Sequence, residues 1–139
     1  MNERFYLMQL KEIHDERGYM CVVEANNQIP FQIKRIFYDY NNVHNHERGN
    51  HANRISRFAF ICISGSCNIE VDDGKMKALF ELKNPNDILI IDKMVWKKIY
   101  GFSDNSVLLI VSDSKYDKTE IIRDYQDFIK EVDLHGRDE

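Results

Sequence analysis

The segment HNHERGNHAN, from His44 to Asn53, carries three of the chain's five histidines within eight positions. Imidazole is a common ligand for transition metals, and it is also the side chain best suited to gain and lose a proton near pH 7. Three interpretations are therefore open: a metal site, a catalytic acid or base, or a solvated polar loop. The surrounding residues must decide between them.

A metal site is disfavoured by the residue types at strand spacing. Two imidazoles at alternate positions of a β-strand point to the same side and can share one metal. Here the alternate position after His51 is Asn53, whose neutral amide is a poor transition-metal ligand, and no later Glu and His stand at obvious strand positions to complete a cage. His44 and His46 lie in the polar stretch NNVHNHERGN, which is typical of a solvated loop. We therefore predict that no metal is bound.

His51 differs from the other two because it stands where this loop leads into the apolar segment RFAFICI, with Arg48, Arg54 and Arg57 close in sequence. A neutral histidine beside a bound substrate can act as a general base, and guanidinium groups can bind a diphosphate in a bidentate manner. The alternative is a histidine that only completes its hydrogen bonds at a strand end. These residues alone support the two interpretations equally.

The rest of the chain predicts the elements that must position these side chains. In CNIEV, strict alternation predicts that Cys67, Ile69 and Val71 face inward, and the DDG sequence at 72–74 predicts a hairpin turn. Segments rich in β-branched and aromatic residues recur between short polar breaks, as in a compact all-β sandwich or barrel: GYMCVVEA, QIKRIFYDY, RFAFICIS, SCNIEVDD, KALFEL, DILIID, WKKIYGF and SVLLIVSD.

The C-terminal region predicts a helix. Between Lys118 and Val132 apolar residues recur at helical spacing, with acidic residues early and Lys130 late. We expect this helix to pack its apolar face on the barrel. No repeat, low-complexity segment or linker divides residues 1–139, so the sequence predicts a single domain.

Composition narrows the classes of function. A chain of 139 residues with 43% hydrophobic content can bury a continuous core, and a formal net charge of −4 gives no general basic surface for nucleic acid. The apolar runs are too short to span a membrane, and the first residues, MNERFYLMQL, carry charges where a signal peptide is hydrophobic. We therefore expect a cytoplasmic protein in which Cys21, Cys62 and Cys67 are reduced and mostly buried.

Five segments occur in the order and spacing of the WxcM-like cupins: IKRIFY, RGNHAN, ISGSCNIEVDDG, VWKKIYGFS and YDKTEIIRDYQDF. Over residues 13–132 the chain resembles the dTDP-4-keto-6-deoxyglucose ketoisomerases of that family. The resemblance implies a cupin jelly-roll barrel with a C-terminal helix, and a homodimer built by exchange of N-terminal strands. It also implies a bound dTDP-linked 4-keto-6-deoxy sugar and no metal or other cofactor.

The resemblance also implies a reaction, in which the sugar ketone moves from C4 to C3 through an enediol, as a step towards 3-amino-3,6-dideoxy sugars for surface polysaccharide. His51 matches the first histidine of the family's HAH motif, its catalytic base. Asn53 replaces the second histidine and is expected to hydrogen-bond a sugar hydroxyl, which leaves the second proton transfer to Lys97, Tyr38, water or His51 itself. Lys97 stands where relatives carry His or Arg; without the resemblance it would be assigned to the surface. Phe58 stands where many relatives carry Gln.

The arginines differ in how well they match the family pattern. Arg35 and Arg48 match family arginines, and the resemblance implies that they contact the diphosphate. Arg17 matches a position near the sugar that varies among relatives and bears on product stereochemistry; the alternative is a turn residue. Arg54 and Arg57 are not required by the family pattern and are as readily explained by ion pairs. Four further matches are assigned to the docking surface of the helix: Tyr116, Arg123, Tyr125 and Phe128.

Three other functions stay open at this point. An epimerase-type cupin would remove a proton next to the same ketone and return it to the same carbon. A catalytically silent dTDP-sugar-binding cupin is suggested by Asn53 and Phe58, which replace an ionisable and a polar residue. A metal-binding cupin has the least support, for the reasons given above.

Overall fold

The computed structural model describes residues 4–43 and 46–135, so that His44 lies outside the described residues. Within this part of the chain the backbone forms twelve β-strands and one α-helix, and the predicted all-β class with a C-terminal helix is confirmed. The elements are β1 (Phe5–Gln9), β2 (Glu12–Asp15), β3 (Gly18–Cys21), β4 (Arg35–Tyr40), β5 (Arg48–Asn53), β6 (Phe58–Ser64), β7 (Cys67–Asp72), β8 (Lys77–Leu82), β9 (Asp87–Ile91), β10 (Trp96–Tyr100), β11 (Val107–Ser112), β12 (Ile121–Ile122) and α1 (Tyr125–His135).

Two five-stranded sheets face each other as a jelly-roll sandwich. The first sheet has the strand order β1-β9-β6-β11-β4 and the second has the order β12-β5-β10-β7-β8. Neighbouring strands pair antiparallel, and most of them are distant in sequence, so the chain passes repeatedly between the two sheets. Strands β2 and β3 form a separate hairpin.

The core fills the space between the two sheets. Cys67, Ile69 and Val71 of β7 are each no more than 1% exposed, which confirms the alternation predicted from CNIEV. They pack with residues from the opposite sheet, among them Phe60 and Leu89. Each aliphatic or aromatic side chain in this core contributes roughly 1.5–3 kcal/mol to the free energy of unfolding when it is fully removed from water.

The predicted turn and cysteine environments agree with the structure. β7 and β8 are joined at Gly74, which has a φ of +96°, and the Asp72 carboxylate accepts a hydrogen bond from the Gly74 amide at 2.8 Å. Cys62 and Cys67 are buried free thiols, and Cys21 is half-buried. Among the described residues, no helix combines the length and hydropathy needed to cross a membrane.

The helix predicted from Lys118 is wrong at its start. Residues 118–120 form a 3₁₀ turn capped by Asp117, and Ile121 and Ile122 form β12, which pairs with Asn53 and Ala52 of β5. The two β-branched isoleucines complete the edge of the second sheet, and this tertiary pairing outweighs the helical spacing. The α-helix begins at Tyr125 and packs on the outer face of that sheet, as predicted, with Phe128 fully buried.

Candidate active site

One open end of the sandwich forms a cavity of about 480 Å³ between the two sheets. Its floor is apolar and is made of core residues that include Phe58, Phe60 and Ile99. Its walls are polar, because β4, β5 and β10 each turn polar side chains inward here, and the segment before α1 adds more. A mostly apolar cavity with a few convergent polar groups is the usual form of a small-molecule site.

A β-bulge in β5 places the candidate base. The pairing of β5 with β10 shifts register between Lys97 and Lys98, which pair with His51 and Gly49, so Asn50 is the extra residue. Gly49 and Asn50 both have positive φ, +86° and +53°. A Cβ at Gly49 would lie 2.9 Å from the carbonyl oxygen of Lys97, so this close approach of the two strands requires glycine. The bulge lets Gly49, His51 and Asn53 all line the cavity.

His51 has the properties of a base that is ready to accept a proton. Its Nδ1 lies 2.9 Å from the carbonyl oxygen of Gly49. Because a carbonyl can only accept, Nδ1 carries the proton and Nε2 keeps its lone pair. Burial, reinforced by the nearby positive charges of Lys97 and Arg123, lowers the pKa of His51 to about 4. The imidazole is therefore neutral at pH 7.

Lys97 lies in the cavity and not on the surface. It is 3% exposed, and its Nζ donates to Asn53 Oδ1 at 3.0 Å and to the carbonyl oxygen of His51 at 3.4 Å. The Nζ also stands 5.1 Å from the centre of the Phe58 ring. Burial lowers the pKa of Lys97 to about 7, although the negative charge of Glu120 partly offsets that effect. Near neutral pH this lysine can therefore both give and take a proton.

Asn53 is held by protein groups at both ends of its amide. It receives the Lys97 hydrogen bond at Oδ1, and its Nδ2 donates to Glu120 Oε2 at 3.1 Å. Both ends of the amide therefore bind neighbouring side chains, and the expected hydrogen bond from Asn53 to a sugar hydroxyl stays a prediction. Glu120 is buried and was missed in the sequence, where EIIRDY gives no sign that the first residue leaves the helix.

The arginines differ in how free they are to bind an anion. Arg35 lines the cavity with its guanidinium 5.0 Å from the ring centre of Phe37, and its buried Nε has no hydrogen-bond partner among the described residues. Arg48 also lines the cavity but is shared with the Asp39 carboxylate, 3.4 Å away, and with Asn42. Arg35 is thus the better prepared of the two for a phosphate oxygen.

Two residues assigned to helix docking belong to the cavity instead. Arg123 and Tyr116 both line it, and the guanidinium of Arg35 lies 5.7 Å from the Tyr116 ring centre. Both precede α1, and Arg123 lies in the part of the predicted helix, from Lys118 onwards, that is not an α-helix in the structure. The other two assignments are correct, since Phe128 and Tyr125 pack against the outer face of the second sheet.

Two candidates are not brought to His51. Tyr38 is 60% exposed, because Phe37 and Asp39 on either side of it face the cavity and alternate residues of a strand face opposite ways. Arg17 lies in the turn of the β2–β3 hairpin, where it is exposed and paired with Asp15, so its place near the sugar stays a prediction.

The two arginines that the family pattern does not require form ion pairs outside the cavity. Arg54 binds Glu131 of α1 through two hydrogen bonds, and Arg57 binds Asp113. Neither arginine lines the cavity. Within residues 4–43 and 46–135, no group of three His, Cys, Asp or Glu side chains is placed to hold a metal ion.

Comparisons with known proteins identify what the chain is similar to. Residues 3–133 match the family model described as FdtA: WxcM-like, C-terminal. The chain is 32% identical over 126 residues to a TDP-4-oxo-6-deoxy-alpha-D-glucose-3,4-oxoisomerase from Aneurinibacillus thermoaerophilus, with 91% of each chain covered.

Two solved structures extend the comparison. WlaRA, a TDP-fucose-3,4-ketoisomerase from Campylobacter jejuni, is 40% identical with a TM-score of 0.85, over 91% of this chain and 93% of that one. QdtA, a sugar 3,4-ketoisomerase from Thermoanaerobacterium thermosaccharolyticum in complex with TDP, is 30% identical with a TM-score of 0.92, over 99% of this chain and 100% of that one.

Proposed function

We propose that His51 and Lys97 are the two proton-transfer groups of this chain, which is a sugar-nucleotide 3,4-ketoisomerase. The chain belongs to the family described as FdtA: WxcM-like, C-terminal. The substrate we propose is dTDP-4-keto-6-deoxy-D-glucose, which the name of the Aneurinibacillus relative describes. The observation that carries the roles is the pairing, in one cavity, of a neutral imidazole with a free lone pair and a buried lysine that titrates near neutral pH.

The two groups divide the four proton movements of the reaction. His51 Nε2 removes the C3 proton, the C3–H electrons form a C3=C4 double bond, and negative charge moves to the C4 oxygen. The Lys97 ammonium stabilises that oxygen and protonates it, which gives the cis-enediol. The neutral Lys97 amine then takes the proton of the C3 hydroxyl while the His51 imidazolium protonates C4. The ketone stands at C3, and both side chains return to their starting states.

We assign the diphosphate to arginines that line the cavity. Arg35 and Arg48 are the proposed contacts, and Arg123 is a third cation in the lining. The unpartnered Nε of Arg35 supports its assignment, because a buried guanidinium nitrogen without an acceptor is costly until an anion supplies one.

We also propose that the protein is a homodimer in which N-terminal strands are exchanged. Support comes from the β2–β3 hairpin, which exposes the apolar side chains of Ile13, Tyr19 and Met20 by 48%, 72% and 57%. A partner chain would remove these side chains from water. Light scattering on the purified protein tests the proposal, and a mass equal to one chain would contradict it.

A proton NMR time course tests the proposed reaction directly. Purified protein is incubated in deuterated buffer with dTDP-4-keto-6-deoxy-D-glucose, beside His51→Asn and the matched control His46→Asn. His46 is exposed and does not line the cavity. We expect wild type and the control to move the ketone to C3, with deuterium at C4 where the His51 imidazolium has exchanged its proton with the deuterated solvent, and His51→Asn to bind the nucleotide without turnover.

The same spectra separate the other functions. Deuterium next to a ketone that stays at C4 would identify an epimerase-type reaction, and binding of the substrate by wild type without any exchange would identify a silent binding protein. Either result would contradict the isomerase.

A further inference from the structure

We propose that Glu120 is a positioning residue that, through the side-chain amide of Asn53, aims Lys97 into the cavity and fixes the direction of its hydrogen bonding. The inference rests on the proposed function in that it takes Lys97 as the second proton-transfer group. It adds a residue and a contact chain: Glu120 to Asn53 to Lys97.

The chemistry of the three side chains gives this chain one polarity. Lysine has donors and, when charged, no acceptor, whereas an ionised carboxylate only accepts. The Asn53 amide must therefore turn Oδ1 towards Lys97 and Nδ2 towards Glu120, as the 3.0 Å and 3.1 Å contacts show. If the amide turned around, two donors would face each other at Lys97 and two acceptors would face each other at Glu120.

Glu120 is fixed independently of Asn53, so the order runs outward from Glu120. Its Oε1 accepts from the backbone amides of Ile55 and Ser56 at 2.8 Å and 2.9 Å, and its Oε2 also accepts from the Ser56 hydroxyl. These donors belong to the connection between β5 and β6. Burial alone would raise the pKa of Glu120, but the hydrogen bonds from Ser56, Ile55 and Asn53 outweigh it and lower that pKa. The carboxylate is charged at neutral pH.

Several other titratable groups face the same cavity, and one of them, His51, also hydrogen-bonds to the Asn53 side chain. On the negative side Asp39 is paired with Arg48, and Asp117 accepts from the backbone amide of Thr119. The remaining titratable or cationic side chains of the cavity are Arg35, His51, Tyr116 and Arg123. Burial opposes a charged Lys97, and the negative charge of Glu120 favours the ammonium.

Replacing Glu120 with glutamine acts on Lys97 in two ways, and both favour the neutral amine. The negative charge that favours the Lys97 ammonium is lost. In addition, the glutamine oxygen is needed by the amides of Ile55 and Ser56, so its NH₂ group faces Asn53. The Asn53 amide must then turn Nδ2 towards Lys97, and a donor in that position favours the neutral amine, whose lone pair can accept.

The test measures the protonation of Lys97 without requiring turnover. In protein labelled with ¹³C-lysine, the Cε resonance of Lys97 is assigned by its loss in Lys97→Met and followed against pH. We expect the wild-type midpoint at about 7. In Glu120→Gln we expect it to fall by about one pH unit. The matched control is Glu131→Gln, which makes the same change in a carboxylate that pairs with Arg54 outside the cavity.

A second variant covers the case in which Glu120→Gln does not fold. Asn53→Leu keeps the bonds from Ile55 and Ser56 to Glu120 but removes the amide, so the Lys97 midpoint is again expected to fall. In both variants the high-pH limb of the kcat/KM profile should move down with the midpoint. An unchanged midpoint in Asn53→Leu, or a kcat/KM that falls equally at all pH values, would overturn the positioning role.

The outcome is separate from that of the proposed function. If wild type binds nucleotide but does not isomerise the sugar, the function fails, while the midpoint shift still decides whether Glu120 controls Lys97. If wild type is active and the midpoint does not move, the function stands and Glu120 has no positioning role.

Discussion

Replacing Lys97 with methionine is expected to stabilise the folded protein while it removes the activity. Lys97 is 3% exposed, and burial lowers its pKa to about 7 in the folded state. In the unfolded chain a lysine titrates near 10.4. Between these two pH values the unfolded state holds a proton that the folded state lacks, so stability rises with pH across that window, and the full penalty applies below pH 7.

The size of the effect follows from the two pKa values. The ionisation penalty on folding is about 4 kcal/mol at pH 7 and about 2 kcal/mol at pH 9. Methionine has similar length and no charge, so the advantage of Lys97→Met over wild type should shrink by about 2 kcal/mol between these pH values. The variant also leaves Asn53 Oδ1 without its donor, at a cost of about 1–3 kcal/mol that does not depend on pH. The change with pH therefore isolates the ionisation.

Urea unfolding followed by the fluorescence of the single tryptophan, Trp96, measures this difference. All samples need one protein concentration, because dimer formation would add to the apparent stability. The control is Lys98→Met, since Lys98 is the next residue and reaches Glu47 and Glu70 instead of the cavity. The reasoning would be refuted if Lys97→Met raised the free energy of unfolding equally at pH 7 and pH 9, or if Lys98→Met raised it in the same way. Either result would mean that burial does not lower the pKa of Lys97. Turnover by Lys97→Met should fall by about 10²–10⁴-fold.

Three further predictions concern Arg35 and Asn53, which line the cavity, and Tyr38, which does not. Arg35→Gln should weaken TDP binding in calorimetry by about 10–100-fold, because charge-assisted hydrogen bonds are lost, whereas Arg57→Gln should leave it unchanged. Asn53→His should keep turnover within about tenfold of wild type in the NMR assay, and Asn53→Asp should lose far more, because a second carboxylate beside Glu120 is repelled. Tyr38→Phe should leave kcat unchanged, since that hydroxyl lies outside the cavity; a loss above about tenfold would place it in the reaction.

The sequence predicted the central strands of the sheets, where burial imposes a pattern, and missed β5, where the cavity removes that pattern. The segments that form β6, β7, β9 and β11 are apolar because they face the core. Strand β5, RGNHAN, turns Gly49, His51 and Asn53 towards the cavity, so it has no apolar alternation to detect. A strand that lines a polar site therefore reads as a loop, and here the resemblance to a family supplied what periodicity could not.

Local pattern also failed where a long-range contact decides the structure. The spacing from Lys118 predicts a helix, but Glu120 is bound by amides of residues more than sixty positions earlier, and Ile121 pairs with Asn53. Both contacts depend on how β5 ends, which no window around Glu120 contains. The burial of Lys97 was expected from the resemblance alone, because KK in a strand does not show which lysine faces inward.

Asn53 replaces the second histidine of the family motif, and the direction of its hydrogen bonds explains how the reaction can be kept. A neutral imidazole has one donor and one acceptor on opposite sides of its ring, and a primary amide likewise offers an NH₂ group and an oxygen. Either side chain can accept from a group on the cavity side and donate to Glu120, as Asn53 does here. What the amide cannot do is carry a proton. In this chain a lysine with a pKa of about 7 contacts that amide, so the ability to exchange a proton lies one residue away, on the neighbouring strand β10.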